Sequence, residues 1–452
     1  MNLRPDLLAT YGTAAVPRYT SYPSANLWTP ADENFAKKAF KRAGAQPLSL
    51  YVHVPFCEKL CFYCGCNMMV NHSDQRVERY LRAIELEAEY VSKQINGRPK
   101  VVQLHLGGGT PTHLDEAQLE RLIGALRKHY DFADELEASI EIHPPVTTDG
   151  QLRTLRRLGF NRLSMGVQDF DPEVQQRINR PQPFEQTAHL IQLARELGFQ
   201  SVNVDLMYGL PLQTPERFQL TLDKVKQLRP DRIALFGYAH MPTLKKHHRM
   251  LEQDRPDVPL RLKILERAID ELTHAGYRAI GLDHFALESD ELCKARDEGT
   301  LRRNFMGYTT CAATDVIALG PSAISEVGGA FVQNARGVYE WALALESGHY
   351  PTERGWDPTR DDDLRRDLIQ RLFCRLDLDT SALAREHQVD FEQTFATELK
   401  DLERLERDGL VRKEPGHIRV TPEGQLLLRN VAAVFDRYFR EAKSKPKHST
   451  AV

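Results

Sequence analysis

From Leu48 to Gly281 the chain alternates between short β-branched apolar runs and longer stretches with apolar residues at helical spacing. This alternation is the strongest constraint on what the chain can fold into. Strands separated by helix-length crossovers pair in parallel, and the helices cover both faces of the sheet. The runs predict strands at 48–55, 101–106, 137–142, 162–166, 201–206, 232–236 and 277–281. They predict helices at 74–94, 115–129, 149–158, 172–177, 184–197, 215–227 and 259–275. Roughly six such strands make an open or partial barrel, and function in such folds sits at the C-terminal strand ends.

The flanks read differently. Residues 1–45 form an irregular arm holding the polar, aromatic stretch Pro17-Arg18-Tyr19-Thr20-Ser21-Tyr22-Pro23, then a helix at 32–43. The barrel and its extension occupy 46–345. Beyond it, 346–442 reads as a mostly helical domain with helices at 360–376, 380–386, 390–408 and 422–443. Two short strands lie within 410–420, so the module is winged-helix-like. The polar tail 443–452 is expected to be disordered.

A winged-helix-like module raises the question of DNA. With 60 Lys+Arg against 63 Asp+Glu, the net charge is −3 and there is no basic stripe, so no nucleic-acid partner is expected. A lid over the barrel mouth is the better reading. No apolar run approaches the ~18 residues of a membrane helix. Met1-Asn2-Leu3-Arg4-Pro5-Asp6 opens without the apolar region of a secretory signal, so a cytoplasmic protein is expected.

Four of the seven cysteines, Cys57, Cys61, Cys64 and Cys66, follow the first predicted strand directly. In a reducing compartment such a cluster reads as metal or redox chemistry. A structural zinc site normally draws on two separated pairs, and no second pair is present. Three thiolates on one loop suit three corners of a cubane iron–sulfur cluster, leaving one iron open to a small molecule.

The spacing Cys57-x3-Cys61-x2-Cys64 after a first strand resembles that of the radical S-adenosylmethionine (SAM) enzymes. The longer run Pro55-Phe56-Cys57-Glu58-Lys59-Leu60-Cys61-Phe62-Tyr63-Cys64-Gly65-Cys66-Asn67 resembles the oxygen-independent coproporphyrinogen III oxidases within that superfamily. So do the 18–23 arm, Gly107-Gly108-Gly109-Thr110-Pro111-Thr112, the 163–170 and 205–211 segments, Asp283-His284-Phe285-Ala286, the 303–310 segment and the C-terminal domain.

The resemblance implies a partial (β/α)6 radical SAM barrel. It implies one [4Fe-4S] cluster on Cys57, Cys61 and Cys64, and two SAM molecules. Tyr51, Tyr63, Gly108, Glu141 and Ile324 would contact the first SAM. Gly109, Thr110, Gln168, Arg180, Asp205 and Ala239 would contact the second. Cys66, Phe305 and Met306 are the candidate catalytic residues, with the choice between a catalytic and a structural role for Cys66 left open. The implied reaction turns two propionates of a tetrapyrrole substrate into vinyl groups, using a 5′-deoxyadenosyl radical. Reduced flavodoxin or ferredoxin would be the electron donor, and a monomer is expected.

Two departures from the family stand out. His143-Pro144-Pro145 replaces a run that often carries an acid and an arginine, and Met306 stands where many members have glutamine. A haem-binding chaperone usually has phenylalanine at the Cys66 position and lacks the 18–23 arm, so both features oppose that alternative. A haem-degrading radical SAM methyltransferase is the other; it would be told apart by a methylated, opened product. His240, His247 and His248 lie in the segment 238–249, whose basic end is Lys245-Lys246-His247-His248-Arg249; it reads as a solvated basic helix, with a carboxylate-binding rim as the alternative.

Overall fold

A computed structural model describes residues 4–44, 46–311 and 315–442; the tail 443–452 lies outside them. Six strands run parallel in chain order: β1 (Leu48–Val54), β2 (Lys100–Gly108), β3 (Asp131–Ile142), β4 (Arg162–Gln168), β5 (Ser201–Tyr208) and β6 (Arg232–Gly237). Six more follow: β7 (Tyr277–Ile280), β8 (His284–Leu287), β9 (Asp315–Leu319), β10 (Ile324–Val327), β11 (Ala330–Asn334) and β12 (Thr352–Trp356). β9 adds a seventh parallel strand beside β1, and β10, β11 and β12 continue outward as antiparallel neighbours. The sheet stays open, running from Thr29–Pro30 at one edge to β7 at the other.

The alternation works because the strands are covered on both sides. In β1 every residue is buried except Tyr51, which is half-buried, as expected for a central parallel strand. The first crossover helix, Asp74–Gln94, buries Val77, Tyr80, Leu81, Ile84, Ala88 and Val91, a stripe at three- and four-residue spacing. Capping boxes at Asp115/Gln118 and Thr148/Gln151 start two of the later helices.

Three sequence expectations are corrected. The strand at 277–281 follows its helical crossover, Val258–His274, and runs in the same direction as β6, but it does not pair with it. Gly281 takes a positive φ of 59° and the chain turns straight back, so β8 pairs antiparallel with β6 and separates it from β7. The helix at 390–408 breaks at Phe395, whose buried ring packs on Phe391 and Phe435. The helix at 422–443 is three short helices, Pro422–Leu426, Leu428–Ala433 and Arg437–Glu441. Burial of Leu427, Leu428, Val431 and Phe435 decides that path. Each such side chain contributes roughly 1.5–3 kcal/mol, which outweighs the propensity for one straight helix. The C-terminal hairpin, Val411–Glu414 and His417–Val420, gains a third strand, Asp377–Asp379.

The arm and the C-terminal domain both reach the barrel mouth. Arg18 donates to the Gly237 carbonyl at the end of β6 (2.9 Å), and Arg303 donates to the Tyr19 carbonyl (2.5 Å). Gln425 of the C-terminal domain donates to the Gly281 carbonyl (3.0 Å).

Candidate active site at the C-terminal strand ends

The cysteine loop leaves β1 at Pro55. Phe56–Cys57 pairs with Met69–Val70, which closes the loop at its base. Elements distant in sequence pin it from outside. The Phe62 N–H donates to the Ile178 carbonyl (3.0 Å) and Asn179 donates to the Leu60 carbonyl (2.8 Å). Lys245 donates to the Cys66 carbonyl (2.7 Å).

His247 and His248 both reach the Cys64 carbonyl, at 2.8 and 3.2 Å. His248 is buried, and its Nδ1 accepts the Met241 N–H (3.1 Å). That leaves Nε2 as the protonated nitrogen facing Cys64. The reading of 245–249 as a solvated basic helix is therefore wrong. The segment braces the cysteine loop, because two imidazoles can donate to one carbonyl where no backbone partner is available.

The thiols differ in surroundings. Cys57 Sγ lies 3.4 Å from Thr110 Oγ1, and burial pushes its pKa up to about 12. Arg180 Nη1 donates to Cys61 Sγ (3.6 Å) while its Nη2 donates to the Gly166 carbonyl (2.6 Å). The hydrogen bond from Cys66 draws Cys64 down to about 7, and Cys66 itself is exposed. Among the described residues no three His, Cys, Asp or Glu side chains converge on one point as a single ion would require. A cubane does not need that, because its thiolates bind separate irons at separate corners.

Next to the loop, β2 ends in glycines. Gly108 has a φ of 117°, and a Cβ there would lie 2.7 Å from the His53 ring. A Cβ at Gly109 would lie 2.7 Å from the Phe56 carbonyl and 3.1 Å from Cys57 Sγ. Only glycine lets the two backbones come this close. His53 is itself fixed: its Nε2 donates to the Asn67 carbonyl (2.7 Å) and its Nδ1 accepts from Tyr51 (3.1 Å).

Glu141, near the end of β3, accepts the Gly108 N–H (3.1 Å) and meets His105 at 3.4 Å. Burial raises its pKa, but His105 and the Gly108 N–H outweigh burial and hold it below the ordinary range. Asp205 on β5 accepts from Asn203 (2.7 Å); burial and the nearby Glu141 push it up to about 6. The two carboxylates share a cavity of about 290 Å³ with Phe305 and Met306, which sit at the tip of the 302–309 hairpin. Phe305 packs edge-on against Trp28 (6.0 Å).

Gln168 closes β4 at a bulge with φ 70°; it is buried and its Oε1 has no partner. Asn203 Oδ1 is likewise buried without a partner. Buried acceptors left in this state fit a site built for a ligand with N–H or O–H donors. Tyr63 and Ala239 line an adjoining cavity with Gly65, Met241 and His248. Ile324 opens β10, one strand beyond β9, where Ala318 pairs with Tyr51. The sequence-predicted residues thus gather on one face of the barrel mouth, Arg180 included, although it lies on a loop after the helix Pro172–Arg177. His143, one of the departures, is half-buried with its buried Nε2 unpartnered; desolvation and Arg180 push its pKa down to about 2.

Comparison with known proteins bears on this geometry. The Radical SAM superfamily model matches residues 51–225, and the HemN C-terminal domain model matches 359–427. The oxygen-independent coproporphyrinogen III oxidase of Escherichia coli (strain K12) is 44% identical over 441 residues, covering 96% of each chain. That of Pseudomonas aeruginosa is 42% identical over 440 residues, covering 96% of this chain and 95% of its own. The chain belongs to the oxygen-independent coproporphyrinogen III oxidase family. A solved structure of coproporphyrinogen III oxidase (HemN) from Escherichia coli, described as a radical SAM enzyme, superposes with a TM-score of 0.91. It covers 97% of this chain and 99% of its own at 42% identity. Membership in the radical SAM superfamily carries the use of an iron–sulfur cluster and SAM. No helix among the described residues is long and apolar enough to cross a membrane.

Residue-level reading singled out Lys245, His247 and His248 but missed that they brace the cysteine loop. It also missed Arg261 and Arg429, which enter the cavity system from a crossover helix and from the C-terminal domain. Nothing in their local sequence marks them.

Proposed function

We propose that this chain catalyses the oxygen-independent oxidative decarboxylation of coproporphyrinogen III to protoporphyrinogen IX. Each of two propionates loses a hydrogen atom from its β-carbon, carbon dioxide and one electron, and becomes a vinyl group. The observation that carries the reading is a likeness extending over arm, barrel and C-terminal domain together; Tyr63 and Gly65 of the cysteine loop line one cavity and Glu141, Asp205 and Met306 line its neighbour, the two sharing Thr20 and Phe236.

In this reading Cys57, Cys61 and Cys64 hold one [4Fe-4S] cluster, and two SAM molecules bind beside it. When bound, these groups supply the reductive cleavage of SAM to methionine and a carbon-centred radical. The chain's own residues place and protect that chemistry. Gly108 and Gly109 admit ligand atoms against the backbone, and Tyr51, Tyr63, Glu141 and Ile324 surround the first SAM. Thr110, Gln168, Arg180, Asp205 and Ala239 face the second. Glu141, held ionised, suits an ammonium or ribose hydroxyl group. Phe305 and Met306 meet the substrate, and Cys66 lies beside the cluster. The arm and the C-terminal domain cover the mouth and limit solvent access, which protects a reactive intermediate. A reduced flavodoxin or ferredoxin supplies electrons to a cytoplasmic monomer, organised as arm (1–45), barrel and extension (46–345) and C-terminal domain (346–442).

The test is anaerobic: reconstitution with iron and sulfide, reduction with dithionite, then SAM and coproporphyrinogen III with mass detection. Two losses of carbon dioxide accompanied by 5′-deoxyadenosine are expected. SAM cleavage without decarboxylation would overturn the substrate assignment.

A further inference from the structure

β8 runs against the parallel strands, so its first residue, His284, is the one that stands at the barrel mouth, paired with Ala234 of β6. The function proposed above gives neither His284 nor its neighbour Asp283 a role. The imidazole is nevertheless held on three sides. Its Nδ1 lies 2.6 Å from Asp283 Oδ1. Phe236 and Tyr308 meet the ring edge-on, with ring centres 6.0 and 5.2 Å away. Tyr308 is itself fixed, since its hydroxyl donates to the Phe373 carbonyl (3.2 Å) and accepts the Leu282 N–H (2.9 Å).

These contacts settle which nitrogen faces Asp283 with a proton. Burial raises the Asp283 pKa, but His284, Arg303 and Arg18 together bring it below the ordinary carboxylate range. An ionised carboxylate can only accept, so Nδ1 donates to it, and in the neutral ring Nε2 is left with a lone pair. No hydrogen bond is made at Nε2 among the described residues. A Cβ at Gly307 would lie 3.8 Å from Nε2, which places that nitrogen at the hairpin tip carrying Phe305 and Met306.

His284 lines the cavity of about 290 Å³ that also holds Glu141, Asp205, Asn203 and Met306. Of the arginines lining it, Arg162 and Arg232 are paired with Glu137, Asp290 and Glu291, and Arg303 donates to the Tyr19 carbonyl. Acceptors stand among the remaining groups: the two carboxylates, and the Asn203 Oδ1 that is buried without a partner. Such a lining suits a ligand that brings donors. On a porphyrinogen the donors are the pyrrole N–H groups, whereas the propionates accept. Glu141 and Asp205 face the SAM molecules in the function proposed above, and His284 is the acceptor beside Met306, where the substrate is placed. We propose that His284 is a substrate-binding residue whose Nε2 accepts a pyrrole N–H of the porphyrinogen, and that Asp283 positions it by fixing the tautomer. This rests on the activity proposed above. One directional bond to one pyrrole orients the macrocycle, and orientation decides which propionate reaches the reacting centre.

The test uses the reconstituted full chain and its His284→Leu, His284→Gln and Asp283→Asn variants. The probe is coproporphyrinogen III itself, dialysed to equilibrium without oxygen and quantified after oxidation to the porphyrin. SAM binding and cluster absorbance are read in parallel and report that the variants fold. His284→Leu leaves a pyrrole N–H unmet and should weaken coproporphyrinogen binding about tenfold. His284→Gln supplies an amide oxygen and should recover part of that loss. In Asp283→Asn the amide donates to Nδ1 and moves the ring proton to Nε2, so binding should weaken at least as much. KM for coproporphyrinogen III should follow the affinities, while KM for SAM stays at the wild-type value. Unchanged affinity in His284→Leu would overturn the assignment. So would full affinity in Asp283→Asn beside a weakened His284→Leu, since Nε2 would then act as a donor. Binding that depends on His284 without turnover would keep the assignment and sink the activity; no binding to the wild type would sink both.

Discussion

The two sides of the barrel mouth are built in opposite ways. The sulfur side comes from one loop, 57–66, and a glycine run one strand away. The arginine side comes from residues 18, 261, 303 and 429, which share no local pattern. The first is a motif that folding merely displays; the second exists only after folding. What is proposed for the sulfur side could be read from spacing, because residues that hold one cluster must lie close together in three dimensions, and these cysteines already lie close along the chain. A charged cavity has no such requirement.

If the contrast is real, damage to the sulfur side should be absolute and damage around it graded. Cys57→Ala is expected to abolish both cluster reconstitution and 5′-deoxyadenosine formation, read by visible absorbance and chromatography. Glu141→Gln keeps the shape and an acceptor for the Gly108 N–H but removes the charge. A charged hydrogen bond is worth ~1.5–3 kcal/mol, so the KM for SAM should rise about 10- to 100-fold, with iron content unchanged. An unchanged KM would remove Glu141 from the SAM site.

The braces come next. His248→Ala deletes a buried ring and its bonds to Met241 and Cys64, and should cost roughly 2–3 kcal/mol in denaturant unfolding of the metal-free protein. His247→Ala, half-buried with a single bond, should cost about 1 kcal/mol or less. Equal effects would mean that the loop is not held from below by His248.

A further effect, one that fades with acid, is a pH dependence. Asp205 has its folded pKa raised from 3.8 to about 6. The folded state therefore binds this proton more tightly than the unfolded chain does. Stability from this group is full below pH 4 and is lost as pH rises towards 6. Asp205→Asn should unfold at a higher temperature than wild type above pH 6, by an equivalent of about 2 kcal/mol after allowance for its partial exposure. The difference should shrink as pH falls to 4. A pH-independent difference would mean that Asp205 is ionised in the folded protein without strain.

Much of the fold was legible in the sequence. The first six parallel strands lie where the runs predicted, because a strand buried on both faces leaves a continuous apolar run and a crossover helix leaves a stripe. The errors fall where burial overrides pattern. After Gly281 the chain turns back and slips β8 between β6 and β7, and the Leu427–Phe435 segment broke a helix to fill the core. The strands β9 to β12 went unread because they are only four or five residues long, and β9, β10 and β11 follow one another through short turns with no helix between them to frame them. In the candidate site, the cysteines, the glycines that end β2 and Glu141 could be picked out from their place at strand ends, while Tyr51, Tyr63, Gln168, Asp205, Ala239 and Ile324 came only from family resemblance. Arg180 came the same way, and Lys245, His247 and His248 were singled out but not as braces of the cysteine loop.

The sequence by itself determined the parallel sheet, the cysteine loop at the end of its first strand and the glycines beside it. These depend on neighbours along the chain, where spacing becomes geometry directly. Only the tertiary structure decided which side chains hold that loop and which four arginines share a cavity. Those depend on where distant segments pack, and a hydrogen bond or a convergence of charges between positions hundreds of residues apart leaves no periodicity to read.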